Sequence, residues 1–200
     1  MAQGSYLGPL TFIILIDSLK SACLTHKFID DTTLSEILDR RSTSMMQQFV
    51  DELIEWSRQH AMSVNGRKTK EMLIGPICKK PPPPLTLDGA VIDRVKTFKL
   101  LGVHVSDDLK WLHHIDAICS KAVSRLHFLK LLARSSASLE DLVCFYTSVV
   151  RPILEYACPV WHSSLTVAQA DALESIQKRA MRLNYVPVGL QDSVYNCRHR

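Results

Sequence analysis

Near residue 105 the apolar side chains change their period, and a chain that does this must change architecture there. After Trp111 the spacing is helical throughout. Ile115, Ile118, Ala122, Leu126, Leu129 and Ala133 form one long stripe. Ser138-Leu-Glu-Asp141 offers a capping box for a second helix over Leu139 to Val150, which Pro152 is expected to stop. Thr166-Val-Ala-Gln169 offers a third start, with Leu173, Ile176, Ala180 and Met181 on one face. Before residue 105 the pattern is mixed. The spacing therefore predicts an α+β fold: antiparallel strands with helices over about 1–105, helices alone over about 106–185, and a loose tail over 186–200 that lacks any period.

The mixed part divides further. An apolar helix is expected from about Pro9 to Lys20, since a proline in the first turn lacks only an N–H that has no partner there. Phe28-Ile-Asp-Asp-Thr-Thr-Leu34 reads as a β-hairpin with Asp30 and Asp31 at its turn, because β-branched and aromatic residues flank two carboxylates that break the apolar run. Met45, Met46, Phe49, Val50, Leu53 and Ile54 give a helical stripe within Ser42 to Ala61, closed by the turn signal Asn65-Gly66. Glu71 to Ile74 reads as a short strand. Pro81 to Pro84 can join neither a helix nor a sheet interior and must be a surface loop. Leu85 to Ile92 is a hairpin turning at Asp88-Gly89, and Val95 to Val105 continues as strand.

Composition sets outer bounds. With 200 residues, 46% of them apolar, the chain can bury a sizeable core. A net charge of +4 permits a nucleic-acid partner without demanding one. The six cysteines stand singly, with no CxxC or Cys/His spacing for zinc, and no signal peptide opens the chain. They read as reduced thiols of a nuclear or cytoplasmic protein. The longest apolar stretch, Leu7 to Ile16, is too short to span a membrane. Trp56, Trp111 and Trp161 read as core anchors, and His113-His114 as helix surface.

The sharpest chemical signal is Asp30-Asp31. Neighbouring carboxylates at a strand turn are hard oxygen donors suited to Mg²⁺, and two-metal phosphoryl transfer uses such donors to hold ions about 3.5–4 Å apart. Alone, an Asp-Asp dipeptide is more often a solvated turn. Its neighbours change that weighting.

Phe28-Ile-Asp-Asp-Thr resembles the reverse-transcriptase signature of an aromatic residue, a variable residue, two aspartates and a threonine. Gln3-Gly-Ser-Tyr-Leu-Gly-Pro-Leu-Thr-Phe12 is similar to the segment that precedes it in non-LTR (LINE-type) retrotransposons. Met62-Ser-Val-Asn-Gly-Arg-Lys-Thr-Lys-Glu-Met-Leu-Ile74 resembles the segment that follows. Val95 to Trp111 resembles the primer-grip strand pair and its exit into the thumb. Tyr146 to Trp161 and Ile176 to Arg182 resemble the helical segment after that. These matches run in order from Gln3 to about Tyr185.

The resemblance implies a partial reverse-transcriptase palm followed by an all-helical, thumb-like region, and an RNA-directed DNA polymerase as the ancestral activity. Asp30 and Asp31 would be catalytic metal ligands of a two-Mg²⁺ site, with Asp30 the stronger. Lys70, or Lys68, would protonate or neutralise the pyrophosphate leaving group. Gln3 and Gly4 would pack by the incoming dNTP and template. Leu100, Leu101 and Gly102 would hold the primer end. The partners implied are an RNA template, a DNA primer and dNTP, with no membrane. The family's further metal-binding Asp and its fingers lie upstream of the Gln-Gly loop, and Ala2 stands where the family has Pro. The expectation is therefore a truncated fragment with an incomplete metal site, inactive by itself. The rival reading is a repurposed nucleic-acid-binding or helical interaction module without catalysis, which the basic residues from Arg67 to Lys80 favour.

Overall fold

A computed structural model describes residues 7–39, 42–135 and 137–184. The chain forms two compact units, Met1–Lys96 and Thr97–Arg200. Mixed helix and strand are present, in line with the α+β expectation. Gln3, Gly4 and the tail over 186–200 lie outside the described residues.

The first unit begins with α1 (Gly8–Asp17), followed by the antiparallel pair β1 (Leu24–Phe28) and β2 (Asp31–Ser35). Helix α2 (Met46–Gln59) starts where the Glu36 carboxylate accepts the Met45 N–H at 2.9 Å and the Ser44 hydroxyl at 2.7 Å, an anion set on the positive end of the helix. Its buried stripe, Phe49, Val50, Ile54 and Ser57, follows the expected period. Val50 and Ile54 meet Leu87 and Ile92 in a small core. The Gln47 side chain exchanges two hydrogen bonds with the Thr86 backbone, at 2.8 and 3.0 Å, imitating a strand neighbour and joining α2 to β4 (Thr86–Leu87).

Strand β4 pairs with β5 (Ala90–Val91) around Asp88-Gly89, both at positive φ (51° and 80°), as a two-residue hairpin of this handedness requires. Strand β3 (Lys70–Glu71) pairs in parallel with β6 (Asp93–Arg94). The expected antiparallel pairing holds for β1–β2 and β4–β5, while β3–β6 departs from it. Among the described residues the strands form separate two-stranded pairs, one of them parallel. The strands are two to five residues long, and such short segments satisfy their backbone with one neighbour before the chain turns away. The expected strand over Glu71 to Ile74 stops after Glu71, where Pro76 helps turn the chain into a 3₁₀ turn, Gly75–Lys79.

The second unit opens with the antiparallel hairpin β7 (Thr97–Leu100) and β8 (Val103–Ser106). The unit boundary lies before this hairpin, whereas the change of apolar period lies after it. The reason is that Val103 is buried in the helical core, so the hairpin packs with the helices. Helix α3 (Leu112–Arg134) buries Ile115, Ile118, Ala122, Leu126 and Leu129. Helix α4 (Leu139–Phe145) is capped by the Ser138 hydroxyl on the Asp141 N–H at 3.1 Å.

Pro152 does not end the helical path. The chain widens into a π turn, Tyr146–Val150, closed by Arg151 N–H on the Tyr146 carbonyl, and resumes as α5 (Arg151–Glu155) with Pro152 in its first turn. A proline inside a helix cannot supply its own backbone donor, and one extra residue per turn relieves that conflict. Helix α6 (Cys158–Trp161) is short. Helix α7 (Val167–Asn184) begins in a reciprocal capping box, Gln169 N–H on Thr166 Oγ1 and Thr166 N–H on Gln169 Oε1. Trp161 and Trp111 are buried as expected. His114 is a correction: it is not helix surface but 1% exposed, boxed by aromatic rings. A lone imidazole on a helix stripe counts as polar in any hydropathy scale, yet its ring is flat and largely carbon, and it fills an aromatic layer well.

Candidate functional site

The two aspartates sit where the hairpin reverses. Phe28 pairs with Asp31, leaving Ile29 and Asp30 as the two-residue loop. Directly opposed residues share a face, so Phe28 and Asp31, like His26 and Thr33, project to one side, and Thr25 and Leu34 to the other. Leu34 packs on the small core of the first unit, so Asp31 stands on the open face. Both aspartates are exposed, as is Phe28 beside them. The tip is therefore an acidic point on an open hairpin, reachable by a cation and by phosphates.

Its backbone is strained. Ile29 has φ of +53°, a region that β-branched residues rarely enter and that costs about 1–3 kcal/mol. Such strain persists only where the surroundings impose it. Here the five-residue register of β1 and β2 fixes the turn length from both sides. The hairpin is also tied back: the Lys27 ammonium donates to the carbonyls of Ile16 at 2.8 Å and Leu19 at 2.5 Å, capping the C-terminal end of α1 with a cation. Trp56 Nε1 donates to Ser18 Oγ at 3.1 Å, so α2 also holds the residue that follows α1.

Lys70 lies in a different strand pair. Its ammonium is paired with the Asp93 carboxylate at 2.6 Å across the β3–β6 register. Next to it Arg94 grips the buried Glu71 with two nitrogens, at 2.8 and 2.9 Å, and also donates to the carbonyls of Pro82 and Pro83. This clamp braces the tetraproline loop. Asp30 and Asp31 lie next to each other at the tip of the β1–β2 hairpin, whereas Lys70 is paired with Asp93 within the separate β3–β6 pair. Arg67, Lys68, Lys79 and Lys80 are exposed.

In the second unit the β7–β8 turn is Leu101-Gly102, with φ of +45° and +90°. The residue pattern alone read it as part of a continuous strand over Val95 to Val105, whereas the resemblance marked a strand turn at Leu100, Leu101 and Gly102. The partner it acquires, Tyr156, is 55 residues away, and although it lies in the Tyr146 to Trp161 segment nothing in the sequence linked it to this turn.

Comparison with known proteins bears on what this hairpin is. The chain is 23% identical over 192 residues to the probable RNA-directed DNA polymerase from transposon X-element of Drosophila melanogaster, covering 90% of this chain and 21% of that protein. It is 24% identical over 196 residues to the RNA-directed DNA polymerase from mobile element jockey of Drosophila funebris, covering 87% and 21%. It is 24% identical over 183 residues to the retrovirus-related Pol polyprotein from type-1 retrotransposable element R1 of Bradysia coprophila, covering 86% and 18%. The chain is homologous to RNA-directed DNA polymerases of non-LTR retrotransposons. It spans about a fifth of the length of these reverse-transcriptase relatives. No family model and no solved structure matches it.

By donor type, the hairpin offers two exposed carboxylates of the kind that suits Mg²⁺. Among the described residues no group of three or more His, Cys, Asp or Glu side chains is placed to hold a metal ion. The donor set therefore fits magnesium as one contribution to a cradle, not as the whole of it. Also among the described residues, no helix is long and apolar enough to cross a membrane.

Proposed function

We propose that the chain is a part of an RNA-directed DNA polymerase in which the first unit is a partial palm and the second a thumb-like region. The observation that carries the reading is the strained, two-residue hairpin loop bearing Asp30 beside Asp31 on an open face, in a chain homologous to retrotransposon polymerases along nearly its whole length. In this reading Asp30 and Asp31 are the metal ligands, and Mg²⁺, when bound, activates the primer 3′-hydroxyl and clamps the leaving pyrophosphate. The hairpin contributes position: a short register and a tied-back strand fix the backbone that carries the two adjacent carboxylates. Phe28, exposed on the Asp31 face, offers an apolar edge to a sugar or base. Gln3 and Gly4 retain their proposed place by the dNTP and template.

Lys70 is the weakest member of the set, because its ammonium is already neutralised by Asp93. To serve a leaving pyrophosphate it must exchange that partner. The turn at Leu101-Gly102 holds the primer end, and template and primer are the macromolecular partners.

Two carboxylates leave a two-metal cradle incomplete, so these 200 residues alone are expected not to extend a primer. The test is primer extension on an RNA template with Mg²⁺, run with the chain alone and with the corresponding segment of the jockey polymerase replaced by this one. The replacement is expected to extend, and Asp30→Asn within it to lose activity by a factor on the order of a hundred or more. Extension by the isolated chain that vanishes in Asp30→Asn removes the inactivity claim. An active replacement that is indifferent to Asp30→Asn removes the metal-ligand assignment. The non-catalytic reading is supported by exposed Arg67, Lys68, Lys79 and Lys80. It predicts salt-dependent RNA or DNA binding with no incorporation in either setting.

A further inference from the structure

We propose that Tyr156 is a positioning residue that sets the tip of the β7–β8 hairpin for the primer end. The inference rests on the reading of Leu101-Gly102 given above and adds the residue that shapes it. A two-residue turn with both residues at positive φ suits the twist of the strands, but it places a leucine in a region that Leu rarely adopts. Something outside the turn must hold it. Tyr156 does so twice. Its hydroxyl donates to the Leu101 carbonyl at 2.7 Å. Its ring occupies the space beside Gly102, where an added Cβ would stand 3.1 Å from Cε1 and 3.4 Å from the hydroxyl oxygen. Gly102 is thus required once for its backbone and once for the room the phenol takes.

Tyr156 is itself anchored from the core. The indole Nε1 of Trp161 donates to the Tyr156 carbonyl at 3.0 Å, and the chain turns sharply at Ala157, which has φ of +52°. The Trp161 ring meets His114 edge-on at 5.4 Å, and His114 Nδ1 accepts the N–H of His104 on β8 at 3.4 Å. The hairpin is therefore pinned at its tip by Tyr156, on its return strand by His114, and below by buried Val103. Tyr156 is 53% exposed, so the ring does little as core. Its contacts are directed at the turn, and a turn held in one shape is what recognition of a strand end needs.

The test uses the 200-residue chain with Tyr156→Phe, Tyr156→Ala and Gly102→Ala. Two readouts are taken: amide hydrogen exchange from Leu100 to His104, and affinity for an RNA–DNA hybrid with a recessed DNA 3′ end against a blunt hybrid. Tyr156→Phe keeps the ring and loses the hydroxyl. It is expected to speed tip exchange and to weaken recessed-end binding roughly fivefold, with blunt-hybrid affinity and the helical far-UV signal unchanged. Tyr156→Ala and Gly102→Ala are expected to go further, and the double variant little beyond either single one. Unchanged tip exchange in Tyr156→Phe and Tyr156→Ala overturns the positioning role. Faster exchange with recessed-end affinity intact leaves the clamp standing and overturns the primer reading. Should Tyr156→Ala not fold, Tyr156→Phe decides.

Discussion

The two units solve the problem of a core in opposite ways. The helical unit builds one continuous cluster: Trp161, Ile115, Leu129 and Val150 are fully buried in it, supplied by α3, the π turn and α6 and joined by residues of α4, α5 and α7, with fully buried His114 against the Trp161 ring. Among the described residues of the first unit the buried cluster is Val50, Ile54, Leu87 and Ile92, with Leu34, Met46, Val64 and Leu85 packed against it. Large apolar side chains are exposed in both units, among them Ile13, Ile14 and Ile29 in the first and Val123, Phe128 and Val160 in the second, so the difference lies in the buried clusters. Burial of apolar area is the main favourable term in folding, so the larger cluster gives the second unit the larger apolar contribution. The first holds its shape with polar ties: Lys27 on α1, Gln47 on Thr86, Arg94 on Glu71. The unit that carries the carboxylates is thus the one least able to close a core.

The comparison can be broken most directly at Trp161. Trp161→Ala should cost about 3–5 kcal/mol, read as a shift of the urea midpoint in circular dichroism. A loss under about 1 kcal/mol would mean that the helical core is looser than its burial states. The next largest effect is expected in the first unit. Glu71→Ala leaves the Arg94 guanidinium with carbonyls alone and should cost about 2 kcal/mol, with faster proteolysis at the tetraproline loop. If the loop stays protected, polar ties are not what holds that unit.

A smaller effect is set by pH. Burial, reinforced by nearby His104, lowers the proton affinity of His114. Below about pH 6.5 the unfolded chain takes a proton there while the folded chain resists it. The unfolded state then binds more protons, so stability falls as pH drops through that window. Wild type should lose urea resistance between about pH 7 and 5.5, and His114→Asn should lose less; equal losses would show that other groups set the slope. The smallest effect is expected on α1. Ile14 is 73% exposed, so Ile14→Lys should change stability by less than about 0.5 kcal/mol while raising solubility. A larger loss would show that this face is covered in solution.

Legibility followed the range of each interaction. The Asp88-Gly89 turn, the α2 stripe, the Ser138 and Thr166 caps and the β1–β2 hairpin depend on residues within a few positions and could be read from the chain, although the loop is Ile29-Asp30, with Asp31 opening β2. The π turn before Pro152 was read as a helix end, because proline signals a conflict but not how the backbone resolves it. His114 was read as surface, since nothing local says that two tryptophans will meet on its ring. For Lys70, or Lys68, the resemblance implied a leaving-group role, and what the sequence did not carry is the pairing of Lys70 with Asp93, which depends on a parallel register 23 residues apart.

The chain alone determined the α+β division, the helices and their caps, the hairpin that carries the paired carboxylates, and the kinship with retrotransposon polymerases. Those follow from side-chain period and from short-range hydrogen bonding. Only the tertiary structure decided that the strands pair two by two, that the β7–β8 hairpin goes with the helices, and that Tyr156 seats on Gly102. Each of these depends on which distant surface satisfies a backbone group or fills a gap, and that choice is made by packing across tens of residues, where sequence spacing carries no record.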